Sequence, residues 1–598
     1  MAKSPITSEM DIVSLTILVQ GKKIHDSYQI ISCEVHKEAY KVSTATIIFA
    51  FPYNPEEHNL FEISEGPDFV PGNEIAIKAG YNSQEEYIFK GIIVNQGISA
   101  TSGSLPVLKV KCSDKAVKLT LGRFSRYYSA QKESDLLAGI INDSGLTAAV
   151  DATGFIHQQL VQYEAIDWDF IVTRAQANGM LVYFENDKLH VKKPVIDDSC
   201  GLVLTFGQDV YSFNGELDAR FQMPGVTAHS WNVEDQKLQE AKSMEPVIHD
   251  QGNISGKKLA DVPGLSAYEI NTTGPVDQPE LALWAQADLL RARLAALRGK
   301  VTFIGNALPQ VNKIIDLGGF GNRFNGKALI SSVRHLIQAG TWETTIGFGL
   351  DPEWYHETRN INAPQAGGLL PAIHGLQNGI VLKIDDDPQG EHRILVQVPV
   401  MGTSGEGIWA RQALDYATSG KGHFFRPEVG DEVVLGFLND DPRYAVILGS
   451  LYSSNHPPHY TSDQQNSIKA IITNSELKIE FNDKDKILTI ETPAGNSFVL
   501  SDKDKSITVA DQQKNKITMT SSGISMESCK NVVIKAPGNI DLMAGQNIVL
   551  KTSGGDVSLE GTNVEAKAKG SFSAQGNASA ELKASGQTTV KGAVVIIN

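Results

Sequence analysis

Aromatic residues all but vanish from the end of this chain: after residue 500 the only one is Phe572. A segment so poor in large rings cannot build a conventional core of its own. Other absences narrow the field further. No stretch approaches the roughly 18 consecutive apolar residues that a membrane-spanning helix needs. The start, MAKSPITSEMDIV, lacks a charged segment followed by an apolar run, so no secretory signal peptide is expected. The four cysteines (Cys33, Cys112, Cys200 and Cys529) lie too far apart for a metal-binding spacing and read as reduced thiols made in the cytoplasm. Positive charge is also short. With 53 Lys and Arg against 69 Asp and Glu, a net charge of -16 argues against a general nucleic-acid binder or a binder of anionic membranes.

What is present is mostly strand. The 598 residues are enough for three or four domains. Alternating segments such as VSLTILV, ATIIFAF, NEIAIKA and PVLKVKCS make residues 1–122 an all-β barrel or sandwich. A helical and hairpin segment follows over 123–199. One helix places Leu136, Leu137, Ile140 and Ile141 on a face and stops at Gly145; a second carries Phe170, Arg174 and Ala177. Asn186-Asp187 reads as a hairpin turn. A second strand-rich domain spans 200–350. Its clearest helix has Pro279 near the start and a packing stripe of Leu283, Ala287, Leu290, Leu294 and Leu297. Residues 351–375, with prolines and paired glycines, read as a linker. Residues 376–455 contain five short strands, which suits a small closed barrel of the oligonucleotide/oligosaccharide-binding type.

The segment 475–598 holds a repeat. Blocks of eight residues counted from Asn547 read NIVLKTSG, GDVSLEGT, NVEAKAKG, SFSAQGNA, SAELKASG and QTTVKGAV. Apolar pairs two residues apart recur as Ile540/Leu542, Ile548/Leu550, Val557/Leu559 and Val564/Ala566. Phe572/Ala574, Ala580/Leu582 and Thr588/Val590 continue the series, and looser pairs precede it at Phe498/Leu500, Ile507/Val509, Ile517/Met519, Ile524/Met526 and Val532/Ile534. The second block slips by one after Gly554-Gly555. A disordered tail has no reason to keep such a phase. Eight residues are too few for one coil of a single-chain β-helix. Three chains wound about one axis solve this: each supplies one short strand per level, the inward pairs meet at the centre, and the backbone pairs between chains. The expected core of such a needle is Ile540, Leu542, Ile548, Leu550, Val557, Leu559, Val564, Phe572, Leu582 and Val590.

Family resemblance agrees. The barrel carries Trp409-Ala410-Arg411, Pro427-Glu428-Val429-Gly430-Asp431-Glu432-Val433, Phe437, Asp441-Pro442 and Gly449-Ser450-Leu451-Tyr452. These closely resemble the small barrel of phage baseplate spikes and of the VgrG family. Gln162 to Pro194 is similar to the hub part of the same family. The resemblance implies a mainly β homotrimer: a hub of two β-barrel domains with a few helices, an OB-type barrel, and a triple-stranded intertwined β-helix. It implies a non-enzymatic central spike of a contractile injection system. The partners it implies are a hexameric inner tube ring, baseplate components, effector cargo and a PAAR-like tip protein, with the target membrane met only by puncture. Val595, Ile596, Ile597 and Asn598 would be the platform for that tip. Short length and the absence of an added effector domain favour an extracellular phage-tail-like particle, made in the cytoplasm and released. A type VI secretion VgrG or a phage tail spike is the alternative.

Enzymatic signals are incomplete. GNRFNGKA (residues 321–328) nearly spells a phosphate-binding loop, but Ala328 replaces the magnesium-binding Ser/Thr and a strand follows, so a hairpin turn is expected. HPPH at 456–459 reads as linker rather than metal pair. Residues 376–452 hold six Lys/Arg against eleven Asp/Glu, the wrong sign for a single-strand nucleic-acid funnel. Family spikes can carry a lysozyme between barrel and needle, or an HxH iron site at the tip; neither pattern is found here. The sequence therefore predicts no catalytic residue, no cofactor and no metal. An envelope-degrading enzyme and a trimeric adhesin are the weaker readings.

Overall fold

The computed structural model describes residues 3–6, 12–51, 61–402 and 407–597. It divides into two units, Met1–Leu451 and Tyr452–Asn598.

In the first unit, alternation of β-branched and polar residues does what it should: one face of each strand is buried. Val13–Val19, Gln29–Glu38, Thr44–Ala50, Glu74–Tyr81, Gln84–Ser99 and Val107–Ser113 close over a core that includes Ile17, Val35, Phe49, Ile77 and Val110. Val210–Leu217, Leu297–Ile304, Ile314–Gly318 and Thr341–Phe348 enclose a second core around Val301, Phe303, Ile315 and Ile346. The expectation of two distinct barrel domains at 1–122 and 200–350 needs correcting at their joint, because both groups belong to one 13-stranded sheet. The strand Gly326–Gln338 makes the join. Its first residues pair with Ile314–Gly318, while Ser332 to Gln338 pair with Gln29–Glu38. At about 3.3 Å per residue a 13-residue strand outreaches a single core. Ile337 and Trp342, drawn from the second region of sequence, are buried in the first core.

The helical layer follows the sequence closely. Helices Glu133–Asp143 and Asp167–Ala177 end at Gly145 and Gly179, both with positive φ as a helix stop requires. Leu181–Glu185 and Lys188–Lys192 form a hairpin whose turn residues, Asn186 and Asp187, both have positive φ. Helix Gln278–Ala295 differs from expectation. Besides the predicted stripe it buries Leu281, Ala285, Leu289 and Ala292 against Ala228 and Ala241, while Leu283 is left 37% exposed. Alanine at half of its positions left that second face weaker than the stripe of leucines beside it. Residues 351–375 are likewise more than a linker. Tyr355 is buried, its hydroxyl donating to Asp169 at 2.7 Å, and Trp354 Nε1 donates to Asp288 at 2.9 Å. Residues 319–325 form the expected hairpin connection, with Leu317 paired to Gly326.

The closed barrel is built from Gln377–Lys383, Ile394–Gln397, Ile408–Gln412, Glu432–Phe437 and Ala445–Ser450. Val381, Ile394, Val396, Ala410, Val433, Leu435 and Ile447 fill it. Gly379 is required by this packing: a Cβ there would lie 2.4 Å from Val396.

The second unit has two parts. Seven strands from Ile468 to Glu527 form an antiparallel meander in which each pairs with the next. From Cys529 to Ile597 the chain is extended and forms no strand pairing among the described residues. The expected needle over 475–598, paired between chains throughout, is thus corrected for its first part: strands begin at Ile468 and the backbone pairs within the chain to Glu527. Turns closed by backbone hydrogen bonds, in which Thr473 N–H donates to the Leu477 carbonyl and Thr492 N–H to that of Asn496, reverse the chain between these strands.

Candidate assembly surface

The meander repeats every 19 residues. Ile468, Ile487 and Ser506 begin alternate strands at that spacing, as do Lys478, Ser497 and Lys516. Directly paired residues share a face, so register shows which side is apolar. Ile471, Ile479, Ile490, Phe498, Val509, Ile517 and Met526 stand opposite one another in succession across all seven strands. Phe481, Leu488, Leu500, Ile507, Met519 and Ile524 make a second column on the same face. The opposite face carries Glu480, Thr489, Val499, Thr508, Thr518 and Ser525 in line.

Asparagines stitch successive turns at one edge. Asn496 Oδ1 accepts the backbone N–H of Gln512 at 3.2 Å, and Asn515 Oδ1, 19 residues on, accepts that of Cys529 at 3.1 Å. The same Asn515 oxygen accepts the Ser528 hydroxyl at 2.9 Å, where the meander stops.

Beyond it the backbone bends at 529–530, 537–538, 545–546 and 553–555, then at 561–562, 569–570, 577–578, 585–586 and 593–594. Each bend begins eight residues after the one before. The slip at Gly554-Gly555 is absorbed by one bend that is a residue longer, and the beat continues unbroken. Ile540, Leu542, Ile548, Leu550, Val557, Leu559, Val564, Phe572, Leu582 and Val590 all lie in the extended stretches between bends and are exposed in the single chain. Each i, i+2 pair shares one side of its stretch, as extended backbone dictates. The structure brings these residues against nothing within the chain. Val595, Ile596 and Ile597 are exposed at the end of the same series, and Asn598 lies outside the described residues.

Sequence reading found the later column members, from Phe498 onward, but missed Ile471, Ile479, Phe481, Leu488 and Ile490. The signal was there: NDKDK at 482–486 and SDKDK at 501–505 are 19 residues apart and mark equivalent turns. In both, the residue before the first Asp receives the backbone N–H of the second: Asn482 from Asp485, Ser501 from Asp504.

The barrel has loops pinned by ion pairs. Asp387 is held by Arg393 at 2.6 Å and accepts the backbone N–H groups of Gln389, Glu391 and Arg393; the Arg393 contact keeps its carboxyl well below the usual carboxylate range. Asp441 and Arg443 repeat the arrangement in the turn before the last strand. Among the described residues there is no group of three or more His, Cys, Asp or Glu side chains placed to hold a metal ion. The chemistry this surface offers is burial and backbone pairing.

Comparison with known proteins adds names to these parts. The Alg8 N-terminal domain family matches residues 9–339, and the type VI secretion system/phage-baseplate injector OB domain matches residues 377–452. The type VI secretion system spike protein VgrG1b of Pseudomonas aeruginosa is 22% identical over 439 residues, 68% of this chain and 58% of that protein. The chain therefore spans little more than half the length of this curated relative. Among solved structures, a 43 kDa prophage tail protein from Shewanella oneidensis is 12% identical, covering 57% of this chain and 98% of its own, with a TM-score of 0.44. An E. coli component of the type VI secretion system, described as similar to the T4 tail proteins gp27 and gp5, is 13% identical, covering 73% and 99%, with a TM-score of 0.37.

Proposed function

This chain belongs to the Alg8 N-terminal domain family and to the hub–spike family of the VgrG proteins, and on that premise we propose that it is the trimeric, non-enzymatic central spike of a contractile injection system. The observation that carries this reading is the unbroken eight-residue beat of bends from 529 to 594. Holding residues extended costs of order 1–2 kcal/mol each in backbone entropy. A segment with every described residue from Cys529 to Ile597 exposed and no backbone pairing of its own has nothing to offset that cost. Two further copies supply what is missing: one strand per level from each chain, apolar pairs turned to the axis, and hydrogen bonds between chains. The meander supports the same symmetry, because three sheets can turn their apolar columns towards each other while the threonine-rich faces stay in water.

In this reading the hub sheet meets a hexameric inner tube ring and baseplate components, and the barrel connects hub to needle. The end of the needle, Val595 to Asn598, docks a PAAR-like tip protein. Effector cargo travels with the spike, and the target membrane is met by puncture. The spike works inside a particle, which we assign to an extracellular phage-tail-like system. A type VI secretion spike is the second reading, favoured by the name of the P. aeruginosa relative.

Hydrogen–deuterium exchange on the full-length protein tests the needle. Amides of the extended stretches between bends should be strongly protected and those at the bends weakly, giving an eight-residue oscillation. Uniformly fast exchange from 529 onward would overturn the proposal.

A further inference from the structure

The hub holds a cavity of about 230 Å³ that force transmission does not use. It lies where the helices Glu133–Asp143, Asp167–Ala177 and Gln278–Ala295 approach one another, beside the start of strand Ile156–Ala165. Phe155, Trp284 and Leu283 give it apolar walls.

Its floor is charged and unevenly satisfied. Buried Glu133 takes hydrogen bonds from the Arg174 guanidinium, from Asn178 Nδ2 at 2.7 Å and from His157 Nε2 at 3.2 Å. Burial alone would raise its carboxyl, but the His157 hydrogen bond and the Arg174 charge outweigh that and hold it at about 2. Arg174 also donates to Glu280 Oε1 at 2.8 Å. The other Glu280 oxygen, Oε2, accepts no hydrogen bond among the described residues, and His157 Nδ1 stands 3.7 Å from it, beyond hydrogen-bond reach. Two carboxylates thus share one guanidinium. The Glu280 carboxylate, which shares its guanidinium with Glu133, borders a space walled by aromatic rings. Such a charge seeks a partner, and ring faces favour a cationic one.

We propose that this cavity binds a primary ammonium group carried on an apolar stem, with its charge at Glu280 Oε2 and its stem between Trp284, Phe155 and Leu283. Free aliphatic or aromatic amines and the lysine side chain of a partner protein share this chemistry. The assignment rests on the hub alone and stands or falls separately from the trimeric needle.

Calorimetric titration of the full-length protein provides the test, with phenethylammonium chloride as probe and 2-phenylethanol as its uncharged counterpart. The ammonium should bind saturably and the alcohol at least about tenfold more weakly, the scale of one lost charge contact. Glu280→Gln keeps the shape and removes the charge, so it should lose the same factor while retaining the wild-type melting temperature. Trp284→Leu should weaken the ammonium and leave the fold intact. A parallel titration with an end-blocked Gly-Lys-Gly peptide separates the sources: peptide binding as strong as the amine supports a protein side chain, and amine binding alone supports a small molecule. Binding of neither, equal binding of amine and alcohol, or unchanged amine binding by Glu280→Gln overturns the proposal.

Discussion

Phe498 stands directly across the ladder from Val509, and two residues further along the same two strands Leu500 stands across from Ile507. These two pairs define the apolar side of the meander. Val499 and Thr508, paired between them, define the other side. A one-residue change of register would exchange the faces, so the account can be tested one residue at a time.

Ile507→Lys places a charge on the proposed axis and should abolish the trimer, whereas Thr508→Lys, its sequence neighbour on the outer face, should leave the mass unchanged and shift stability by no more than about 0.5 kcal/mol. Analytical ultracentrifugation of the two variants distinguishes them. The reverse pattern would mean that the outer face is the one that assembles.

Leu550→Asp makes the same test beyond the meander. An aspartate at an inward position in each of three chains puts like charges together away from water, and the trimer should fail to form or lose its resistance to detergent. A detergent-resistant Leu550→Asp trimer would show that Leu550 faces outward.

Sequence and structure agree where local chemistry decides. Asn186-Asp187 sits in a hairpin because both residues tolerate positive φ, and Gly145 and Gly179 end helices for the same reason. The i, i+2 pairs from Phe498 onward could be read because strand periodicity does not depend on who the partner is. Three features escaped. Gly326–Gln338 serves two cores, and nothing in its own pattern says that its second half pairs with a strand some 300 residues earlier. The second face of helix Gln278–Ala295 is alanine at half its positions, Ala285 and Ala292. The 19-residue hairpin repeat shows in one set of turns, NDKDK and SDKDK, while the alternate turns, TNSE, TPAG and DQQK, share almost no letters. What the needle residues contact is set by other copies of the chain, so only their spacing was legible.

Segment 351–375 is held by Tyr355. Tyr355→Phe deletes the hydroxyl that donates to Asp169 and accepts from Arg359 at 2.9 Å. Leaving that buried carboxylate short of a donor should cost about 1–3 kcal/mol, seen as a lower hub unfolding temperature with trimer mass unaltered. A melting temperature equal to wild type would show that the segment is not anchored through this contact.

Two buried histidines set a pH dependence. Burial lowers His249 to about 4, partly opposed by Asp250, and lowers His335 to about 3 with help from the Lys37 charge. Below about pH 6.5 the unfolded chain takes up protons that these folded sites still refuse, so their contribution is complete above that pH and is lost as pH falls towards their folded values. Hub stability should therefore drop as pH falls from about 6.5 towards about 4, by up to about 1.4 kcal/mol per pH unit for each histidine. His249→Leu should flatten the profile. An identical slope in that variant would place the acid sensitivity elsewhere.

The central claim is that three copies of this chain make one spike, and the solution mass of the purified full-length protein tests it most directly. Sedimentation equilibrium, before and after mild heating in detergent, should give a resistant species at three times the 64.8 kDa chain mass. A monomer whose residues beyond 528 are readily cut by protease would contradict the account and return the eight-residue repeat to a free tail.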